Sequence, residues 1–464
     1  MVILCTQTCF PTMSEPTAIK VKRRERSAIL QSLQAGLVPK QGLHLIQVGR
    51  KREIEAILED IDRIADDGAS FRVTVGRFGS GKSFFLNLVR NVALKQGLLV
   101  AQADFTTERR LYARGGEAQA LYTELMRNLA SQTTPDGGAL ESVCEGWISE
   151  VNHRIKSQGG SDDDVLAELG SNLRTLEGLV GGFEFAEVLR HFQKSHFDRD
   201  ERGKSCAIRW LRAEYPTKTE ARQDLGVRRI IDDESFYGSL TLMSSFAKLA
   251  GYNGLLVICD EMVVLSHRLP SSRSRTANYE ALLSILNDTV QGNAKGIGFL
   301  FAGTDECLED RRRGLFSYEA LRTRLAENRF ANDEFVDLSG PVIRLEALSP
   351  EDLFVLLRNI ALVHAHGEPG KVAVPNEAIA TILKQANDQL GAEYFRTPRD
   401  VVRSFIGLLN ILDSNPGATW EAVLGSNNVF VPADDSLSVE EKVLKEGAVA
   451  DQEDEDSDLA TFRL

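Results

Sequence analysis

Residues Gly76-Arg77-Phe78-Gly79-Ser80-Gly81-Lys82-Ser83 spell G-x-x-x-x-G-K-S, and they do so between a strand pattern and a helix pattern. Phe71 to Val75 alternates like a half-buried strand, and Ser83 to Arg90 continues with apolar residues at helical spacing. In that context the pattern is a phosphate site rather than a glycine-rich turn. Glycines free the backbone to wrap an anion and aim its N–H groups inward, while the following helix adds the positive end of its dipole. Lys82 is placed for the β- and γ-phosphates and Ser83 offers its hydroxyl to Mg²⁺. The candidate nucleotide contacts therefore run from Gly76, Arg77, Phe78, Gly79, Ser80 and Gly81 through Lys82 and Ser83 to Phe84.

A second motif completes the chemistry. Leu255-Leu-Val-Ile-Cys-Asp260-Glu261 is an apolar run ending in two carboxylates, which puts both at the C-terminal edge of a buried strand, where ligands bind in open α/β sheets. Asp260 is the candidate Mg²⁺ holder, and Glu261 the candidate base for an attacking water. Another strand ends in Ala302-Gly303-Thr304-Asp305; Thr304 is the candidate to sense the γ-phosphate or the water, with Asp305 second. Strands over 71–75, 98–103, 254–259, 296–302 and 341–345, alternating with helices, predict an α/β fold with a parallel five-stranded sheet. A large helical insertion, 105–250, separates the second and third strands, broken at 135–138, 159–164 and 178–182.

Around this core the chain is expected to carry an N-terminal basic helical segment (1–45), with one helix over 17–45 bearing Lys20, Lys22, Arg23, Arg24 and Arg26. The ATPase core spans 46–347, with a helix starting at Arg50 and ending at Ala65. An all-helical lid spans 348–413, opened by Ser349-Pro350-Glu351-Asp352 and restarted by Thr397-Pro398-Arg399-Asp400. Residues 414–464 read as linker and acidic disordered tail. The formal net charge of −13 is concentrated there, since 434–464 holds eleven acids against three bases. The remaining body is mildly acidic, which neither supports nor excludes nucleic acid. No apolar run approaches the length of a membrane span, and the apolar stretch from Met1 to Met13 is too short for a signal peptide, with Met13 an alternative start. Six scattered cysteines without C-x-x-C pairs fit a reducing cytoplasm and no zinc or disulfide framework.

Two sets of basic residues have candidate roles. Arg322 and Arg324 follow Arg311-Arg312-Arg313 on a helix pattern, suited to reach the nucleotide of a neighbouring copy in a homo-oligomer. The stretch 188–230 holds eleven bases against six acids, interleaved with Phe197, Trp210 and Tyr215. That composition suits sequence-independent, salt-dependent binding of double-stranded DNA.

Phosphate loop, Asp-Glu strand, polar fourth strand, arginines and helical lid arrive in the order of the AAA+ ATPases, and the chain resembles their initiator and origin-recognition branch. That resemblance implies that Val48, Gly49 and Arg50, in Val48-Gly49-Arg50-Lys-Arg-Glu, lie near the adenine, and that Arg399 is a lid arginine reaching the nucleotide. The chain is more closely similar to the BREX-system ATP-binding family of bacterial anti-phage defence. Ala35-Gly-Leu-Val-Pro-Lys, Glu108-Arg-Arg-Leu-Tyr, Leu121-Tyr-Thr-Glu-Leu-Met-Arg, Trp210-Leu-Arg-Ala-Glu-Tyr and Gly314-Leu-Phe-Ser-Tyr-Glu carry that likeness. It implies a slow ATP hydrolase that works with DNA or with other defence-system proteins. A nucleotide-gated signalling or scaffold switch and a replication-initiator or loader role are the alternatives. Initiators often end in a winged helix, and residues 414–464 have too few apolar residues for one.

Overall fold

The computed structural model describes residues 18–77, 79–330, 337–388 and 398–426. In chain order, α1 (Arg23–Gln34) and α2 (Lys51–Ala65) precede β1 (Ala69–Val75), α3 (Lys82–Lys95) and β2 (Leu99–Asp104). The insertion follows as α4 (Glu117–Arg127), α5 (Leu140–Ser157), α6 (Asp162–Glu177), α7 (Gly182–Asp198), α8 (Glu201–Leu211), α9 (Lys218–Leu225) and α10 (Phe236–Leu249). Next come β3 (Leu255–Asp260), α11 (Ser272–Val290), β4 (Ile297–Gly303), α12 (Asp305–Glu309), α13 (Glu319–Leu325) and β5 (Val342–Arg344). The chain then runs through α14 (Pro350–His364), α15 (Asn376–Asp388), α16 (Pro398–Ser414) and α17 (Trp420–Ser426). It divides into two compact units. Of the described residues, one holds those within 52–76 and 89–344; the other holds those within 18–51, 77–88 and 345–426.

The first unit is built on a parallel sheet of five strands in the order β2-β3-β4-β1-β5. Its central strands are buried along their whole length, as their uninterrupted apolar runs require. Parallel register brings every C-terminal end to one edge: Val75 lies opposite Gly303 and Arg344, and Asp104 lies opposite Asp260. Phe299 stacks on Phe301, which meets Phe71 and Phe105, so one aromatic row runs across the sheet face. On β4, a Cβ at Gly298 would sit 2.4 Å from Ile64 Cδ1, so glycine there lets α2 pack directly onto the sheet.

Asp60 of α2 and Arg72 of β1 form a buried bidentate pair, with Nε–Oδ2 at 2.6 Å and Nη2–Oδ1 at 3.1 Å. Nη1 of Arg72 also donates to the Leu338 carbonyl at 2.8 Å and to that of Gly340. The guanidinium thus ties the helix, the strand and the segment that enters β5 to one point.

The helices of the insertion share the sheet's hydrophobic core rather than forming a separate one. Trp147 meets Phe246 edge-on, and Phe185 meets both Trp210 and Phe246. The stretch 159–164, expected as a break, contains the start of α6. Ser161 accepts from the Asp164 N–H and Asp164 from that of Ser161, while three aspartates occupy the positive end of the helix dipole.

In the second unit, α1 and α14 to α17 surround Ile29, Ile360, Ile379, Phe405 and Leu409. The helix expected over 17–45 is only Arg23–Gln34. It stops because Gly36 takes φ +72° and the Leu37 N–H turns back to the Ser32 carbonyl. Arg26 of α1 donates from Nε to the His364 carbonyl at 2.8 Å, so one of the expected basic residues caps the C-terminus of α14. The expected Ser349 cap is present and accepts from the Asp352 N–H. Residues expected as linker form α17, whose Trp420, Val423 and Leu424 pack on this core. No helix among the described residues is long and apolar enough to cross a membrane. Cys144, Cys206, Cys259 and Cys307 are thiols, and no disulfide occurs among the described residues.

Replacing Asp60 with Ala strands a buried guanidinium. We expect a loss of about 3–5 kcal/mol of stability, read as a lower urea midpoint in equilibrium unfolding, while Arg63→Ala, on an exposed arginine beside the same carboxylate, shifts the midpoint little.

Candidate nucleotide site

The glycine-rich loop lies in the second unit, and its backbone has the shape of an anion cradle. Gly79 and Gly81 take φ of +72° and +90°, conformations open to glycine and strained for other residues. A Cβ at Gly81 would find no neighbour within 4 Å, so the space over the loop is open to a ligand. The Ser80 hydroxyl is buried with no hydrogen-bond partner, the kind of orphan a bound anion's oxygen would satisfy. Lys82, buried at the first turn of α3, donates from Nζ to the Arg77 carbonyl at 3.2 Å. Ser83 follows it on the same turn, and Asn87 Nδ2 donates to its carbonyl at 2.8 Å. These features fit a polyphosphate with its cation. Phe84 packs toward the core of this unit. Phe78 lies outside the described residues.

Val48, Gly49 and Arg50 form the turn that enters α2. Gly49 has φ +65° and Arg50 φ +62°, and the bend turns the guanidinium back onto the loop. Arg50 Nη2 donates to the Ser80 carbonyl at 3.1 Å and to the Glu346 carbonyl. The structure thus joins two groups of predicted residues that lie thirty positions apart in sequence. Arg399 sits exposed in the first turn of α16, with its Cδ 3.6 Å from the position of a Cβ on Gly36.

The acid pair belongs to the first unit. Asp260 is buried at the end of β3 and accepts the Glu261 N–H on Oδ1 at 2.8 Å. Glu261 takes φ +61°, an unfavourable conformation for a residue with a side chain. The bend is over-determined on both sides. The Met262 N–H donates to the Ala302 carbonyl of β4, and the Phe105 N–H to the Asp260 carbonyl.

Asp104 was not singled out from the sequence, because the strand around it looked complete at Ala103. Parallel pairing sets it directly across from Asp260. Although its carboxyl reaches the surface, partial withdrawal from water and the nearby Asp260 charge raise its pKa above the ordinary carboxylate range, with Arg109 opposing. A strand-terminal acid has no motif of its own; only the register shows it.

Thr304 is fully buried and its hydroxyl accepts the Cys307 N–H at 3.2 Å, capping α12. That bond uses one lone pair and leaves its proton to donate. Asp305 instead turns to Arg344 at 3.1 Å. Arg322 and Arg324 are exposed on α13. Arg322 pairs with Glu319, while Arg324 donates to the Asn287 side chain at 2.8 Å and to the Ala320 carbonyl. Arg324 lines a cleft of about 570 Å³ with Phe71, Arg72 and Val290, near the beginning of β1. Within this unit it therefore lies toward the sheet end opposite Asp260.

The basic stretch 188–230 is not the aromatic-studded surface its composition suggests. Trp210 and Tyr215 are core residues, bonded to the Arg229 carbonyl and to Asp224 respectively. Arg190 pairs with Glu177, Lys204 with Glu145 and Glu201, and Arg209 with Glu220 while stacking over Tyr215. The exposed remainder includes Lys194, Phe197, Arg199 and Arg202 around the α7–α8 turn, and Lys218, Arg222 and Arg228 further on. Compositional counting cannot tell these two classes apart.

A glycine-rich phosphate loop after β1, a parallel five-stranded sheet and an acid pair after β3 define a P-loop NTPase fold. The chain belongs to the BREX system ATP-binding protein BrxC/D family, whose sequence pattern matches residues 21–428. It is an ATP-binding protein of that defence system. Among solved structures it is similar to a chain in the structure of Drosophila ORC bound to DNA, at 12% identity and a TM-score of 0.38, covering 93% of this chain and 74% of that one. No curated protein matches it.

Lys82→Ala removes the charge at the centre of the cradle. The expected result is at least a ten- to hundredfold weaker affinity for ATP by calorimetry, with the thermal unfolding curve unchanged.

Proposed function

We propose that this protein is a Mg²⁺-dependent ATP hydrolase that couples its nucleotide state to DNA or to partner proteins of the defence system. The observation that carries the reading is the constrained turn at Asp260-Glu261, because a structural strand end has no need to hold a glutamate at φ +61°. In this reading the 76–83 backbone and Lys82 bind the phosphates, Ser83 and Asp260 hold the cation, and Glu261 takes the proton of the attacking water. Mg²⁺, when bound, would supply neutralisation of phosphate charge. Thr304 donates its hydroxyl proton toward the γ-phosphate or the water. Arg50 braces the loop from the side of Val48 and Gly49, and Arg399 approaches from α16. Arg322 and Arg324 act on the nucleotide of a neighbouring copy in a homo-oligomer. The setting is cytoplasmic.

The ion-paired state of Arg190, Lys204 and Arg209 favours a second reading, a nucleotide-gated signalling or scaffold switch that binds protein partners, hydrolyses negligibly and never touches DNA. A replication-initiator or loader role has no comparable support in the geometry.

Two measurements separate these. Glu261→Gln should bind ATP as the wild type does while turnover falls by about a hundredfold or more; equal turnover by that variant removes Glu261 from the base role. Filter binding of duplex DNA against salt should show affinity that drops steeply as salt rises, and negligible binding at low salt would favour the switch.

A further inference from the structure

Arg344 is the last residue of β5 and pairs in register with Val75, the final residue of β1. Three carboxylates from separate segments close on its guanidinium. Nη1 meets Asp305 Oδ1 at 3.1 Å, Nη2 meets Glu309 Oε1 at 2.5 Å, and Nε meets Glu327 Oε1. Asp305 immediately follows Thr304, Glu309 ends α12, and Glu327 lies two residues beyond α13. All three nitrogens of the planar fork are used, an arrangement that a lysine ammonium cannot reproduce.

The charge count shows what the cluster does. One cation faces three anions, so Arg344 offsets the repulsion among the carboxylates it gathers. Each pair alone is partly exposed and would contribute little. Their joint effect is geometric: the end of α13 is fastened to the segment that begins at Thr304. On α13 sit Arg322 and Arg324, with Leu321 and Leu325 buried beneath them. A step of two residues links Glu327 to α13, which starts from this clamped edge and carries Arg324 toward the beginning of β1.

We propose that Arg344 is a positioning residue that clamps the α13 arginine arm to the Thr304–Asp305 edge, so that each copy presents Arg322 and Arg324 to its neighbour's nucleotide in a geometry set by its own sheet edge. This rests on the hydrolase reading and on the arm acting between copies. It assigns a role to Arg344, Glu309 and Glu327 that no motif in the sequence marks.

The test uses the full-length protein with Mg·ATP. Glu327→Gln leaves Arg344 two carboxylates and should fold normally, which a thermal melt checks. It should bind ATP with wild-type affinity by calorimetry, yet turn over about tenfold more slowly or worse. Excess Glu261→Gln protein, which has no base of its own but an intact arm, should then restore most of the lost turnover. Arg344→Gln should behave in the same way, and Arg344→Lys should recover little. Unchanged turnover in Glu327→Gln overturns the proposal. So does a loss that the added Glu261→Gln protein fails to rescue, since a local folding defect cannot be repaired by a neighbour. A wild-type protein that binds ATP without hydrolysing it overturns the hydrolase reading itself, and that outcome appears before any variant is measured.

Discussion

Parallel pairing of β1, β4 and β3 is the constraint from which the rest of the sheet unit follows. In a parallel sheet all strands finish at the same side, so residues hundreds of positions apart end up adjacent without any local signal between them. Val75, Gly303 and Arg344 share one register row, and Asp104 and Asp260 share another. Because the phosphate loop opens at Gly76, immediately after β1, the same register decides which polar groups stand at the edge from which the loop departs. The buried Asp60–Arg72 pair protects this arrangement from below, joining α2, β1 and the approach to β5. Losing either partner would leave an uncompensated charge in the core, so the pair maintains the geometry even where its net stabilisation is small.

Against that fixed frame, the polar edge is unusually crowded with charge. Asp104 and Asp260 face each other across neighbouring strands, and Arg344 gathers three further carboxylates a few residues away. Like charges held close disfavour one another's ionised form, and a cation or an arginine offsets that. A divalent metal at Asp260 fits this logic, and so does the clamp on Arg344. The left-handed Glu261 belongs with them: a strained backbone persists where the surrounding bonds from Ala302 and Phe105 over-determine it.

The insertion between β2 and β3 shows how tertiary context reassigns a compositional signal. Its basic and aromatic residues read as a nucleic-acid surface when counted along the chain. In the fold, Trp210 and Tyr215 are interior, and several of the bases neutralise glutamates between helices. The insertion packs onto the sheet's core rather than adding a separate one, and its helices α4 to α10 fill the chain between β2 and β3.

Strand positions, the glycine loop, the acid pair and the Ser349 cap were legible in the sequence, because each is set by local chemistry: apolar runs, left-handed glycines, a hydroxyl before proline. Arg50, Thr304 and Arg324 were legible as polar residues at suggestive places, but their partners were not. Arg50 reaches the Ser80 carbonyl, Thr304 caps α12, and Arg324 turns to Asn287. By itself the sequence determined the fold class and the residue types that stand at its loop and strand end. Only the tertiary structure decided that Asp104 faces Asp260, that Arg344 holds three acids, and that Trp210 is core. Such pairings depend on strand register and on which face a helix buries, and both are fixed by contacts between residues too distant along the chain for any local pattern to encode.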